Sequence, residues 1–185
     1  MDRALVERAR DGDHDAFESL AAASSGRLYA VASLILRDQD RAKDAVQEAL
    51  IAAWRGIRAL REPEAWDAWS YRLVVRASYR LVRRERRGTV LEIHVVGEDE
   101  PSIDDGWVHV ADRDELARGF RHLTAEQRAI LVLHYYVGLP LTEAADVLGL
   151  PHGTVKSRLH RALVTMRTTL DARVPDHVAT QERPA

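Results

Sequence analysis

Residues 139–170 read LPLTEAADVLGLPHGTVKSRLHRALVTMRTTL, and this stretch decides the architecture. Thr142 is placed to cap a short helix with apolar positions at Ala144, Ala145, Leu148 and, just past its end, Leu150. Gly149 sits where a helix ends and the backbone turns left-handed, a conformation glycine adopts without a Cβ clash. Pro151 cannot continue that helix, and Gly153 or Thr154 opens the next one. In the second helix Val155, Leu159, Ala162, Met166 and Leu170 follow the spacing of a buried stripe. The remaining positions include Lys156, Ser157, Arg158, His160 and Arg161, and from Pro151 to Arg173 there are five Lys or Arg against one acid, Asp171. A helix, a tight turn and a basic second helix make a helix-turn-helix, the unit that lays its second helix in a DNA major groove. An amphipathic hairpin with a merely solvated basic face would use the same residues.

Composition restricts what such a unit can belong to. A chain of 185 residues has room for one large or two small domains. The net charge is −2, so affinity for DNA has to come from charge segregation rather than from overall basicity. There is no Cys, which removes disulfides, thiolate nucleophiles and Cys-ligated zinc. The eight His residues show no H-E-x-x-H or comparable metal spacing, and neither a Gly-rich phosphate loop nor a G-x-S-x-G motif is present. Neither enzyme chemistry nor a cofactor or metal is therefore expected. No apolar run approaches the ~20 residues that span a bilayer, and the N-terminal MDRALVERARDGD lacks a signal-peptide core. The expectation is a soluble cytoplasmic protein without membrane insertion. With 46% hydrophobic residues and few Gly and Pro, the expected fold class is all-α.

Charge marks the organisation. Ser70 to Arg87 holds seven Arg against one Glu, whereas Gly88 to Asp112 holds seven acids and no Lys or Arg. The second stretch has no helical period and contains Gly97, Pro101 and Gly106. It predicts a flexible acidic linker over 88–112 between two small helical domains, 1–87 and 113–173. Val90 to Val96 also has the composition of a short strand. The tail, 174–185, has two Pro and little apolar content and is expected to be disordered.

The first domain predicts four helices, over about 3–10, 13–36, 40–60 and 63–87. The third carries a stripe of Ala42, Ala45, Val46, Ala49, Leu50, Ala53, Trp54 and Ile57. Its opposite face shows Asp44, Gln47, Glu48, Ile51 and Arg55, and an apolar Ile51 beside acids suits a protein-binding surface. The fourth mixes Trp66, Trp69, Tyr71 and Tyr79 with Arg72, Arg76, Arg80, Arg83 and Arg84. Arginines track phosphates and aromatic faces stack unpaired bases at ~1–3 kcal/mol per base, a mixture that suits opened DNA better than intact duplex. The other reading puts the tryptophans in the core and leaves only the arginines to solvent. Further on, Thr124 and Gln127 fit a capping box, with Ile130, Leu131, Leu133 and Tyr136 as the buried residues of the helix that follows.

The order of these parts carries a resemblance. DRAKDAVQEALIAAWR at 40–55, the arginine and aromatic helix, a linker, LTAEQRAILVLHYYVG at 123–138 and then the helix-turn-helix together resemble a bacterial RNA polymerase sigma factor of the extracytoplasmic-function (ECF) group. The resemblance runs from about Asp13 to Leu170. It implies that Asp44, Gln47 and Glu48, with Ile51 beside them, dock on the clamp helices of the largest subunit of core polymerase, while Val46 and Leu50 stay in the core. It implies that the stretch from about Gly56 to Trp66 pockets a flipped base of the downstream promoter element. The aromatic and arginine residues from Trp66 to Arg84 would contact the single strand, and Thr154, Lys156, Ser157, Arg158 and Arg161 the upstream element. An anti-sigma factor is implied as a further partner. The free protein would be held compact or sequestered, and its two domains would spread on core polymerase. Arg76 and Arg80 depart from the family, many of whose members have Asn and Asp there, and both changes add positive charge beside the melting site. The acidic linker would either mimic nucleic acid in a polymerase channel or serve as a plain tether. A stand-alone helix-turn-helix regulator is the competing reading, and it leaves the Asp44–Trp54 helix and the arginine-rich helix without a role.

Overall fold

In the computed structural model residues 2–88 and 110–171 are described, and every regular element among them is helical. Helix α1 (Arg3–Arg10) is capped by Asp2, whose carboxylate accepts from the Ala4 amide. Helix α2 (His14–Leu36) is capped by Asp13, which accepts from the Ala16 amide at 3.0 Å. Both caps satisfy amides that have no partner inside the helix. Arg37, in the left-handed region at φ 57, ends α2, and Asp38 immediately caps α3 (Gln39–Gly56) by accepting from the Arg41 amide. Helix α3 stops short of the expected residue 60. Ile57–Ala59 and Pro63–Ala65 form two separate 3-10 turns before α4 (Trp66–Gly88).

Helix α2 bears on the membrane expectation. It is 23 residues long, and an 18-residue stretch of it has a mean hydropathy of 1.3, enough by length and composition alone to cross a membrane. Its stripe of Leu20, Leu28, Val31 and Ile35 is instead fully buried in the packing with α1, α3 and α4.

The second region holds α5 (Val110–Arg121), α6 (Ala125–Leu131), α7 (Leu141–Leu148) and α8 (His152–Asp171). Helix α5 begins inside the stretch expected to be linker. The rest of that stretch past Gly88, its strand alternative at 90–96 and the tail lie outside the described residues. The capping box forms as expected: Thr124 Oγ1 accepts from the Gln127 amide at 3.2 Å, and Gln127 Oε1 accepts from the Thr124 amide at 2.9 Å. Two details differ. Helix α7 already begins at Leu141, after Pro140, so Thr142 lies inside the first turn and does not cap it. Tyr136, expected to be buried, is 40% exposed, and it closes the π turn over Val132–Tyr136 into which α6 widens, where the ordinary helical period no longer holds. Gly149 ends α7 at φ 66, as its position predicts.

The regions share a core. Leu28, Val31, Ile35, Val74 and Val75 of the first pack with Ala125, Ala129, Val132, Leu133, Ala144 and Val147 of the second. A second cluster joins α1 to Phe17, Leu20, Ile57, Leu60 and Trp66, and a third lies within the C-terminal region around Ile130, Val155 and Leu159. Across the shared core Arg128 Nε donates to the Ile35 carbonyl at 2.6 Å, while its Nη1 donates to Leu123 at 2.6 Å. Thr124→Ala removes one half of the capping box and should cost about 1 kcal/mol of stability. Urea unfolding followed by circular dichroism measures it, and an unchanged midpoint would contradict the capping assignment.

Candidate functional site

Helix α3 buries Ala42, Ala45, Val46, Ala49 and Ala53, so the 3.6-residue period turns Lys43, Asp44, Gln47 and Ile51 outward. Ile51 is 44% exposed. Beside it an open groove of about 870 Å³ runs between α2 and α3, walled by Phe17, Tyr29, Val46, Leu50, Ile51 and Trp54 and flanked by Gln47, Lys43 and Arg55. Trp54, placed in the buried stripe by its spacing, instead forms the rim. It is 39% exposed, with its ring centroid 4.9 Å from Phe17 and 5.1 Å from His14. Glu48 stands apart from its neighbours on this face, because its carboxylate accepts from Arg80 Nη2 at 3.0 Å.

Helix α4 separates the residues that its mixed composition left open. Trp66 is fully buried, donates its indole N–H to Ser24 Oγ at 3.1 Å and meets Phe17 edge-on. Tyr71 is buried beside the Arg27–Asp67 ion pair, and burial raises its hydroxyl pKa. Tyr79 is covered where the C-terminal region packs on α4. Burial foremost, and then the charge of Glu126, push its pKa up, and its hydroxyl finds no partner among the described residues. Trp66 and Tyr71 are closed to base stacking in this conformation, and Tyr79 is half-buried. Trp69 is half-buried, 5.8 Å from Trp66 and laid over Gly56, where a Cβ would come within 3.2 Å of the ring. Arg72 is half-buried, whereas Arg76, Arg80, Arg83 and Arg84 are exposed and recur at three- and four-residue intervals along one side of the helix.

On α8 the buried stripe is Val155, Leu159 and Ala162, with Met166 half-buried. Lys156, Ser157, His160 and Arg161 are exposed, and Thr154 and Arg158 are half-buried. The Ser157 hydroxyl donates to the Thr154 carbonyl at 3.0 Å. The expected upstream-reading residues therefore share one helix, with Lys156, Ser157 and Arg161 exposed. The Glu48–Arg80 pair and the Arg128 contact were not foreseen. Each joins residues more than thirty positions apart, and neither leaves a periodic trace.

The chain is similar to known proteins in sequence and in fold. Residues 20–88 match the family described as Sigma-70 region 2, and residues 113–166 match Sigma-70, region 4. Together these define an RNA polymerase sigma factor of the sigma-70 class. The ECF RNA polymerase sigma factor SigM of Mycobacterium tuberculosis is 32% identical over 151 residues, which cover 82% of this chain and 75% of that protein. The solved structure of CnrH in complex with the cytosolic domain of CnrY is similar at a TM-score of 0.66 and 26% identity, over 93% of this chain and 98% of that one. RpoE of Bartonella quintana, solved with the anti-sigma factor NepR, shares the fold at a TM-score of 0.68 and 23% identity, over 85% and 98% of the two chains. The chain belongs to the ECF group of RNA polymerase sigma factors. It directs core polymerase to promoters and is not an enzyme.

Burial assigns Trp66 to the core. Trp66→Ala should cost about 3–5 kcal/mol of stability, the range for truncating a buried aromatic. Urea unfolding measures this. A loss of promoter opening with stability intact would return Trp66 to the DNA-contacting set.

Proposed function

We propose that promoter reading is divided between two separately placed faces, with polymerase docking on a third. Asp44, Gln47 and Ile51, on the rim of the α2–α3 groove, receive the clamp helices of the largest polymerase subunit, with Glu48 at the border. The apolar walls of the groove favour an amphipathic helix as occupant. The arginine row of α4, Arg76, Arg80, Arg83 and Arg84, tracks the displaced single strand, with Trp69 and Arg72 beside it. The loop over residues 57–65 takes the flipped base. Helices α7 and α8 act as a helix-turn-helix, in which Lys156, Arg158 and Arg161 meet the upstream element with Thr154 and Ser157.

The observation that carries this reading is charge segregation. A chain of net charge −2 exposes one arginine row and one basic helix on different elements. Covering of Tyr79 supports the mechanism. The C-terminal region leaves α4 when the chain spreads on core polymerase, which bares that end of the helix. Binding free energy then offsets base unstacking, at a few kcal/mol per step. The domains are 1–87 and 113–173, the acidic stretch between them tethers the two, and the protein acts in the cytoplasm. An anti-sigma factor, the kind of partner that RpoE of Bartonella quintana is solved with, holds it until needed.

Gln47→Ala combined with Glu48→Arg should weaken association with core polymerase by about tenfold or more. Fluorescence anisotropy of the labelled chain measures it, and unchanged affinity would remove this face from docking. Lys156→Ala should weaken binding to upstream-element duplex in the assembled holoenzyme. If Lys156 meets phosphate, the slope of log affinity against log salt should also fall by about 1. Unchanged affinity at all salt concentrations would exclude Lys156 from the interface.

A further inference from the structure

The match to Sigma-70 region 2 begins at residue 20, so α1 lies outside it. Yet α1 is packed against the loop that joins α3 to α4. Val6 and Ala9 are buried in one cluster with Ile57, Leu60 and Trp66, which anchors the loop from beneath. Two polar contacts hold it from the side. Arg10 Nη1 donates to the Arg61 carbonyl at 3.2 Å, and Arg3 Nη1 pairs with Glu64 at 3.1 Å. At the turn after α1, Gly12 adopts φ +99, and the Arg58 guanidinium lies where a Cβ on Gly12 would come within 3.2 Å of it. The loop itself has little regular structure, just two single turns, while Arg58, Ala59, Arg61 and Glu62 stay exposed.

We infer that α1 and its Gly12 turn are the positioning element of the downstream base-reading loop, with Arg10 and Val6 as positioning residues. This rests on the reading of residues 57–65 as the base-capturing loop. A loop that selects one base needs its exposed groups held to within a fraction of an ångström, and loops are less well fixed than helices unless something braces them. Here the brace is α1. Its apolar side fixes the height of the loop, and Arg10 fixes the peptide at Arg61, between the two turns. The Gly12 backbone leaves room for Arg58 to lie in one place. Helix α1 touches no DNA in this scheme and acts through the loop.

The test uses holoenzyme reconstituted from core polymerase and the full chain, on a promoter mapped from the transcripts that this holoenzyme starts. Each downstream-element position is changed to the other three bases in turn, and run-off transcription gives the preference at each. One wrong base should cost the wild-type chain about five- to a hundredfold. Arg10→Ala and Val6→Ala should each shrink that preference by about threefold or more, because small misplacements of recognition groups carry large penalties. Arg10→Lys should restore part of it. Affinity for core polymerase and the base preference at the upstream element should not change, which a general loss of fold would not allow. If circular dichroism shows that Val6→Ala is unfolded, Arg10→Ala, a half-buried side chain at the surface, decides the matter. Undiminished downstream preference in Arg10→Ala would overturn the proposal, as would an equal loss at the upstream element. If instead Arg58→Ala and Arg61→Ala leave the wild-type preference intact, the loop reading fails, and the role given to α1 falls with it.

Discussion

The arrangement of the two helical regions depends on one guanidinium. Arg128 donates to the Ile35 carbonyl near the end of α2, and to the Leu123 carbonyl just past the end of α5. The last carbonyls of a helix have no partner within it and carry the negative end of its dipole. A cation at such a site stabilises by roughly 0.3–1 kcal/mol, up to about 2 when partly buried. Burial foremost, with the charges of Arg37 and Arg41 and against that of Glu126, opposes this and lowers the Arg128 pKa to about 10. Arg128 therefore stays charged at neutral pH but contributes little net attraction. Its effect is on register: it fixes which turn of α6 meets which end of α2. The attraction comes from the apolar faces brought together, Val31 and Val75 against Val132 and Val147 among them. A contact set by one directional cation over a shared apolar patch is specific, and under the proposed reading it comes apart when the two regions act at separate places.

That packing explains why α4 divides as it does. Its inner side serves two cores at once, the Trp66 cluster at one end and the core shared with the C-terminal region further along. Rings placed on the inner side are taken up by packing, Trp66 and Tyr71 wholly and Tyr79 in part. Arg76, Arg80, Arg83 and Arg84 take the outer side, where their guanidinium groups stay solvated, and Arg72 is half-buried between the two sides. In this conformation α4 thus presents charge rather than ring faces. Under the proposed reading it follows the backbone of the displaced strand, and discrimination between bases falls to the loop at its N-terminal end.

Much of this was legible because helices repeat. The spacing of Val155, Leu159 and Ala162 placed the buried side of α8, and the left-handed turn at Gly149 followed from its position between two apolar runs. The capping box at Thr124 needed only residues three apart. What failed had non-local causes. Tyr136 obeys a helical period, but the π turn breaks that period with no marker residue. Trp54 sits in the α3 stripe by count, yet its large ring reaches past the helix edge to Phe17 and His14. Trp66 and Tyr79 read equally well as core or surface, because a ring among arginines has no period of its own, and tertiary packing decided both. For the candidate site, the residue types and their helices were readable, but which of them reach solvent was not.

The Glu48–Arg80 pair bears on how such a chain avoids holding DNA on its own. Arg80 belongs to the outward arginine row, yet its guanidinium meets Glu48 at 3.0 Å, and both side chains are partly solvent-exposed. An ion pair of this kind is worth about 0–1 kcal/mol, too little to matter for stability. It is enough to compete with a single exposed phosphate contact, which is also weak and screened by salt. With net charge −2 the whole molecule adds no long-range attraction to polyanions. In the proposed reading each DNA face is weak alone, and useful affinity arises when polymerase holds both at a fixed spacing, so that binding at one raises the effective concentration at the other. A face that bound DNA tightly by itself would occupy promoters without polymerase. Weakness of the separate faces is then a requirement for recognition that depends on their joint engagement.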